Sequence, residues 1–472
     1  MLIERYIKFL ILVAIIFVIQ SCESYVEIEP PTNKMVTGTV FTSEETAIAA
    51  VNGIYNELFQ SNFANGHISS VTVLAGMSPD TFETTSATDD RYGPFQQNEI
   101  SPGETPDASA NLNLWSSAYN IIYMCNSVLE GLESSSHIPD GTGDILEGQV
   151  RFVRGFTYFY LVNLYGDVPL ILTTDYRQNA LIERHSKEEV WNQVIADLDN
   201  SIILLDNEVA YEDNERTRVN LFVAKALRAR VYLYDEDWEN AEDLSSDIIA
   251  ETSEYDVLDD FEEVFLMNSR EAIWQISPLG GIGGGSFFTY TQEGYLFRGI
   301  NSSQIKLSDR FISSFNTQDK RFSHWIGYND DMEFYYPYKY KDGNSWQNVS
   351  EYSMVLRLAE QYLIRAEART MQGNIAGAIT DVDKIRHRAG LELIAQTNPG
   401  IDKEALLDTI MGERKKELFS EWGHRWLDLK RTGKASKILS PIKPQWENTD
   451  VLYPIPGEER AKNPNLTQND GY

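Results

Sequence analysis

The sequence predicts a mostly α-helical protein, and three observations predict it. Residues 151–164 carry apolar side chains nearly all the way round a helix: Phe152, Phe156 and Tyr160 recur at i, i+4, and Val153, Phe159 and Leu164 widen that stripe. A helix with so little polar face is buried among other helices. Residues 220–249 and 360–388 each read as a helical hairpin, broken near 235–237 and at Gly373-Asn374. Ala229 and Ala241 of the first match Ala366 and Ala378 of the second at the same separation, and small residues there let antiparallel helices approach closely, as in tetratricopeptide-like repeats. Finally, residues 61–110 and 255–350 lack this periodicity, the first being full of Ser, Thr, Pro, Gly and Asn. The expected architecture is a tetratricopeptide-like helical-repeat scaffold with irregular loop and short-strand insertions.

Taken in order, Arg5 and Lys8 precede an unbroken apolar run over 9–19. Eleven or so residues are too few to span a bilayer and suit a secretory leader. Val18-Ile19-Gln20-Ser21-Cys22 then resembles a bacterial lipobox, so 1–21 is expected to be a lipoprotein signal peptide, with Cys22 the lipidated residue. Several acyl chains on one residue supply the anchoring that a single chain does not. Residues 22–42 read as the lipidated N-terminus and an extended linker through Pro30-Pro31, and 43–472 as one domain. Ser43 caps a helix whose stripe is Ala47, Val51, Ile54, Tyr55 and Leu58. Helical patterning returns at 112–132 and 145–164, where Gly166 and Pro169 provide the stop. Ser186 opens another helix through Val190, Trp191, Val194, Leu198 and Ile202. Residues 271–276 look like a strand. The glycine run 280–285 lacks the Lys-Ser/Thr of a phosphate loop and the Rossmann spacing, and reads as a flexible loop. Residues 410–431 read as a helix with Leu418, Trp422, Trp426 and Leu429 along one face.

A net charge of −31, with no Lys/Arg-rich run to offset it, argues against nucleic-acid binding. Two cysteines, Cys22 and Cys125, cannot build a disulfide framework, and Cys125 lies in an apolar helical run as a small buried hydrophobe. The six histidines include no i, i+4 pair and no H-E-x-x-H, and no G-x-S-x-G elbow occurs. We identify no catalytic residues, no metal ligands and no cofactor motif, although 71 acidic residues leave glycosidase carboxylate pairs open. Glu413 and Glu417, beside Arg414 and Lys416, read as ion-paired scaffold.

Five motifs carry a family resemblance. Residues 151–170 resemble the R-x-x-R-A-x-x-Y-x-x-L-x-x-x-[YF]-G-x-[VI]-P-[LY] signature of SusD/RagB-type outer-membrane substrate-binding lipoproteins, with Gly155 where Ala is usual. Leu74–Asp80, Asp319-Lys320-Arg321 with Tyr338-Lys339-Tyr340, the 413–431 segment, and the tail Tyr453-Pro454-Ile455-Pro456 with 463–472 are similar to further family segments. Tyr338-Lys339-Tyr340 resembles the family strand that leads into the helix at 357–368. The resemblance implies a surface lipoprotein tethered through the acidic stretch Glu23, Glu27 and Glu29, facing the cell exterior from the outer membrane. It implies binding without cleavage, with oligosaccharide passed to a SusC-like TonB-dependent transporter. A RagB-like peptide-uptake subunit, a surface glycosidase and a lid or adhesin without its own ligand stay open as alternatives.

Sugar rings present one apolar C–H face and a rim of hydroxyls, so Trp and Tyr can stack on the face while polar groups hold the rim. The resemblance implies an arc of aromatics on the variable loops. From the second insertion we expect Trp325, Tyr328 and Trp346, then Tyr335 and Tyr336; from the first, Phe82 and Tyr92.

Overall fold

The computed structural model describes residues 40–278, 289–300, 303–343 and 348–472. Cys22, Trp346 and the glycine run 280–285 lie outside the described residues. Among the described residues, ten helices of eight or more residues form the scaffold: α1 (Glu44–Gln60), α2 (Pro106–Ser134), α3 (Asp140–Tyr165), α4 (Lys187–Leu204), α5 (Leu221–Tyr234), α6 (Trp238–Ala250), α7 (Leu358–Met371), α8 (Ile375–Arg388), α9 (Lys403–Glu417) and α10 (His424–Arg431). Six short strands accompany them among the described residues: β1 (Phe82–Thr84), β2 (Ala272–Ile276), β3 (Ile305–Leu307), β4 (Ile326–Asn329), β5 (Phe334–Pro337) and β6 (Ser353–Arg357). They pair antiparallel as β1–β3, β2–β6 and β4–β5.

The local signals act as expected. The Ser43 hydroxyl accepts the Thr46 amide at α1, and Ser186 and Glu189 close a reciprocal capping box on α4. Gly166 ends α3 at φ +73°, a conformation that side chains other than glycine adopt at a cost. Helix α3 is the centre of the core: Phe152, Phe156, Tyr160 and Leu164 are buried, and the Phe156 ring meets Phe63, Tyr160, Trp274 and Trp422 edge-on. Arg154 holds Asp197 of α4 bidentately at 2.8 and 2.7 Å and Asn126 of α2 at 2.8 Å, so one guanidinium ties three helices.

The two hairpins stack. Ala229, Ala241, Ala366 and Ala378 have no exposed surface. Leu233 and Ala241 cluster with Ile364 and Ala368, which sets α6 against α7. Ala366 and Ala378 cluster with Leu406 and Ile410, which carries the packing on to α9. Small residues at the crossing points are what permit this spacing.

Two sequence expectations are corrected. The 410–431 segment is two helices, not one: Ser420, Trp422 and Gly423 have φ of 60, 45 and 67°. The reason is chemical. The Glu417 carbonyl accepts Lys339 Nζ at 2.7 Å and Arg357 Nη2 at 2.6 Å, instead of an amide of a continuing helix. The chain then turns so closely that a Cβ on Gly423 would lie 2.4 Å from Ala75 Cβ. Leu418, Trp422, Trp426 and Leu429 are nonetheless all buried. Secondly, Tyr338-Lys339-Tyr340 forms no strand; the strand entering α7 is β6.

Lys339 belongs to a buried charge cluster at the root of the second insertion. Arg321, Lys339, Arg357 and Arg388 interlock with Asp319, Glu271, Glu413, Glu417 and Glu421. Burial alone would raise the Glu417 carboxyl, but Arg388, Arg357 and Arg321 around it hold it well below the carboxylate range. Glu413 and Glu417 are thus ion-paired scaffold. Asp80, the acidic end of the Leu74–Asp80 motif, likewise accepts Lys415 and Arg425 at 2.8 Å each.

Candidate ligand platform at the junction of the two insertions

The two irregular stretches meet. β1 from the first pairs with β3 from the second, Phe82 opposite Leu307 and Thr84 opposite Ile305. Glu83 and Lys306 approach to 3.4 Å across the pair, and the Thr85 hydroxyl donates to the Ser303 carbonyl at 2.7 Å. Beside this pair, Thr291 caps the short helix Gln292–Leu296 by accepting the Gly294 amide at 3.0 Å. The 63–67 loop lies directly on that helix: a Cβ on Gly66, at φ +73°, would fall 2.0 Å from the Glu293 carboxyl carbon. Glycine is required there on both counts.

This junction carries a row of rings. Tyr290 stacks on Tyr295 at 5.7 Å and 21°, His67 lies 6.1 Å from Tyr295, and Arg298 covers the Tyr295 ring at 5.1 Å. The Tyr336 ring packs against Gly299 and Gly327, where any Cβ would stand 2.2 Å from it, and meets Tyr338 at 5.9 Å. Lys341 Nζ lies 4.0 Å over Tyr338. On the other face of the β4–β5 hairpin, Tyr328 and Tyr335 are cross-strand partners with rings 4.7 Å apart. Tyr295, Tyr328 and Tyr338 are 42, 45 and 36% exposed, and each has a cation or a second ring packed against it.

Of the rings expected from sequence, Tyr328, Tyr335 and Tyr336 lie on this hairpin, the first exposed and the others half-buried. Trp325, Phe82 and Tyr92 are corrected: they are core residues with at most 1% exposure and cannot stack on a ligand. Trp325 ends a helical turn whose inner side faces Phe261 and Phe265 at 4.9 and 5.6 Å, and Lys339 Nζ of the charge cluster sits 4.6 Å over its ring. Phe82 points inward from β1 onto Phe297, and Tyr92 is turned in by an Asp89 carboxylate that accepts its amide at 2.6 Å. Sequence reasoning missed His67, Tyr290, Tyr295, Arg298 and Tyr338. The signal for the pair of tyrosines was a Thr cap one residue after Tyr290, followed by a helical turn that carries Tyr295.

Two buried carboxyls underlie the platform. Glu293 and Glu351 are each 3% exposed. Burial pushes Glu293 up to about 7 against its hydrogen bond from Ser353, and burial likewise raises Glu351 to about 7 although it accepts the Lys341 and Asp342 amides. Burial lowers His67, with Arg91 adding to the effect. A carboxyl with a raised folded pKa keeps a proton that the unfolded chain releases above about 4.5, so stability falls as pH rises from there to about 7. Glu293 Oε2 has no hydrogen-bond partner among the described residues, so an amide fits there. Glu293→Gln is expected to add about 1–3 kcal/mol of unfolding free energy at pH 8 and under ~0.5 kcal/mol at pH 4.5, read by urea denaturation at both values. Among the described residues, no three His, Cys, Asp or Glu side chains converge as a metal-ligand set.

Comparison with known proteins places this chain in a family. A family model described as the SusD family matches residues 329–472, and one described as "Starch-binding associating with outer membrane" matches 24–233. The chain belongs to the SusD family. SusD-like protein P25 of Formosa agariphila is 24% identical, the match covering 98% of each chain. Starch-binding protein SusD of Bacteroides thetaiotaomicron is 31% identical over 38% of this chain and 30% of its own. A solved laminarin-binding SusD-like protein superposes with a TM-score of 0.76 at 24% identity, over 92% of this chain and 100% of its own, which shows a shared fold.

Proposed function

We propose that the protein is a glycan-binding lipoprotein of the outer membrane, anchored through Cys22 on the cell exterior, that captures an oligosaccharide and delivers it to a SusC-like TonB-dependent transporter. The observation that carries this is the tyrosine row of the junction. Exposed rings packed against Arg298, Lys341 and neighbouring tyrosines suit the apolar faces of sugars, with the Arg298 and Lys341 cations beside them for the hydroxyls. The relatives described as binding starch and laminarin support the ligand class. A binding role is favoured over hydrolysis because the carboxyls tuned nearest neutrality beside the platform, Glu293 and Glu351, are sealed from any substrate.

Affinity electrophoresis through gels containing plant, host and microbial polysaccharides tests this. One polysaccharide is expected to retard the protein. Tyr295→Ala and Tyr338→Ala are each expected to weaken that interaction by about 1–2 kcal/mol, roughly five- to thirtyfold. Retardation by none, with binding to a peptide panel instead, would turn the reading to peptide uptake.

A further inference from the structure

A cleft of about 1090 Å³ lies away from the platform, between the C-terminal ends of α3, α5 and α10, the start of α4 and the chain's tail. Three segments singled out in the sequence run into its walls: the Gly166-Asp167 turn, Lys430-Arg431 and Gln468-Asn469-Asp470. Glycan binding at the platform makes no use of it.

Lys430 reaches in from α10, where its ammonium donates to the Asn163 carbonyl and lies 5.4 Å over the Trp426 ring, and no carboxylate pairs with it among the described residues. Burial, and then the neighbouring Lys187, bring Lys430 down to about 7; no carboxylate figures among its influences. Tyr234 and Thr449 also line the cleft, with hydroxyl oxygens that are buried beneath its surface and have no hydrogen-bond partner among the described residues. The other charges are committed or exposed. Arg431 is held by Glu367 and Asp428, and Arg184 by the carbonyls of Asp167 and Thr467. Asp235 accepts the Trp191 indole, Asp167 accepts the Lys187 amide at 2.8 Å, and Glu188 and Asp470 are exposed. Trp191 and Tyr234, nearly parallel at 19° and 6.3 Å, provide an aromatic wall.

We propose that this cavity is a second binding site, separate from the tyrosine platform, for an acidic saccharide unit: a sugar ring bearing a carboxylate or a sulfate. The anion would lie against Lys430 and Lys187, with the ring toward Trp191 and Tyr234. The volume suits a short oligosaccharide.

Isothermal titration calorimetry of the protein with glucuronate, glucose 6-sulfate, glucose and inorganic sulfate tests the proposal. One or both acidic sugars are expected to bind, and which of them does names the charged group. Glucose and inorganic sulfate are expected to bind at least tenfold more weakly. Lys430→Met is expected to weaken the acidic sugar about ten- to hundredfold. Lys187→Ala, at an exposed position that folding does not need, is expected to weaken it several-fold. Tyr295→Ala is expected to leave this binding unchanged, which separates the cavity from the platform. Three results would each overturn the proposal: no binding of either acidic sugar, binding no tighter than glucose or sulfate, or affinity unaltered by the Lys187 substitution.

Discussion

Glu417→Ala is expected to lower the unfolding free energy by about 3–5 kcal/mol, because one carboxylate serves three guanidinium groups. It accepts Arg357 at 2.6 Å, Arg321 at 3.3 Å and Arg388, and all four side chains are at most 1% exposed. Removing it strands those cations in a medium that cannot hydrate them, and Glu271, Glu413 and Glu421 compensate only in part. Glu404→Gln, at an exposed position of α9, is expected to change stability by less than ~0.5 kcal/mol. Guanidinium denaturation of both variants checks this, and screening by the denaturant's salt does not account for a difference between them. The depressed Glu417 pKa adds a pH signature. Its contribution is present above the ordinary carboxylate pKa near 4.5 and is lost as pH falls below it toward the folded value.

Trp325→Ala is expected to cost about 3–5 kcal/mol through the cavity it opens among Phe261, Phe265 and the Lys339 ammonium. Tyr295→Ala is expected to change stability by less than ~0.5–1 kcal/mol while weakening glycan retention, because that ring is 42% exposed. The pair separates two rings of the same insertion that the sequence does not separate. Thermal melts and affinity gels on both variants give opposite patterns: Trp325→Ala lowers the melt and Tyr295→Ala lowers retention.

The helical scaffold was legible because its signals are local. The apolar wheel of α3, the Ser43 and Ser186 caps and the paired alanines are all read within a few turns of chain. The two insertions that meet at the candidate platform were legible in outline, since loss of periodicity marked both. Which rings face outward was not. Trp325 and Tyr328 stand three residues apart, yet a helix-to-strand change at Ile326 sends one onto Lys339 and leaves the other on the hairpin surface. The break after Glu417 was hidden for a similar reason: it depends on Lys339 and Arg357, which arrive from 78 and 60 residues away. The apolar stripe Leu418, Trp422, Trp426 and Leu429 suggests a continuous helix there, and tertiary charge pairing together with the Gly423 turn overrides it. Tyr295 and Arg298 escaped notice because their spacing means nothing until the 63–67 loop lies on Glu293.

Hydrogen exchange of the protein with and without a retained polysaccharide locates the glycan contact without any substitution, and so bears on the platform itself. Slowed exchange is expected in 63–67, 289–300 and 334–343, the segments that carry His67, Tyr295 and Tyr338, with α5 to α8 unchanged. Slowed exchange confined to the helical hairpins, or none in the presence of a polysaccharide that retards the protein, would contradict a platform at the junction of the two insertions.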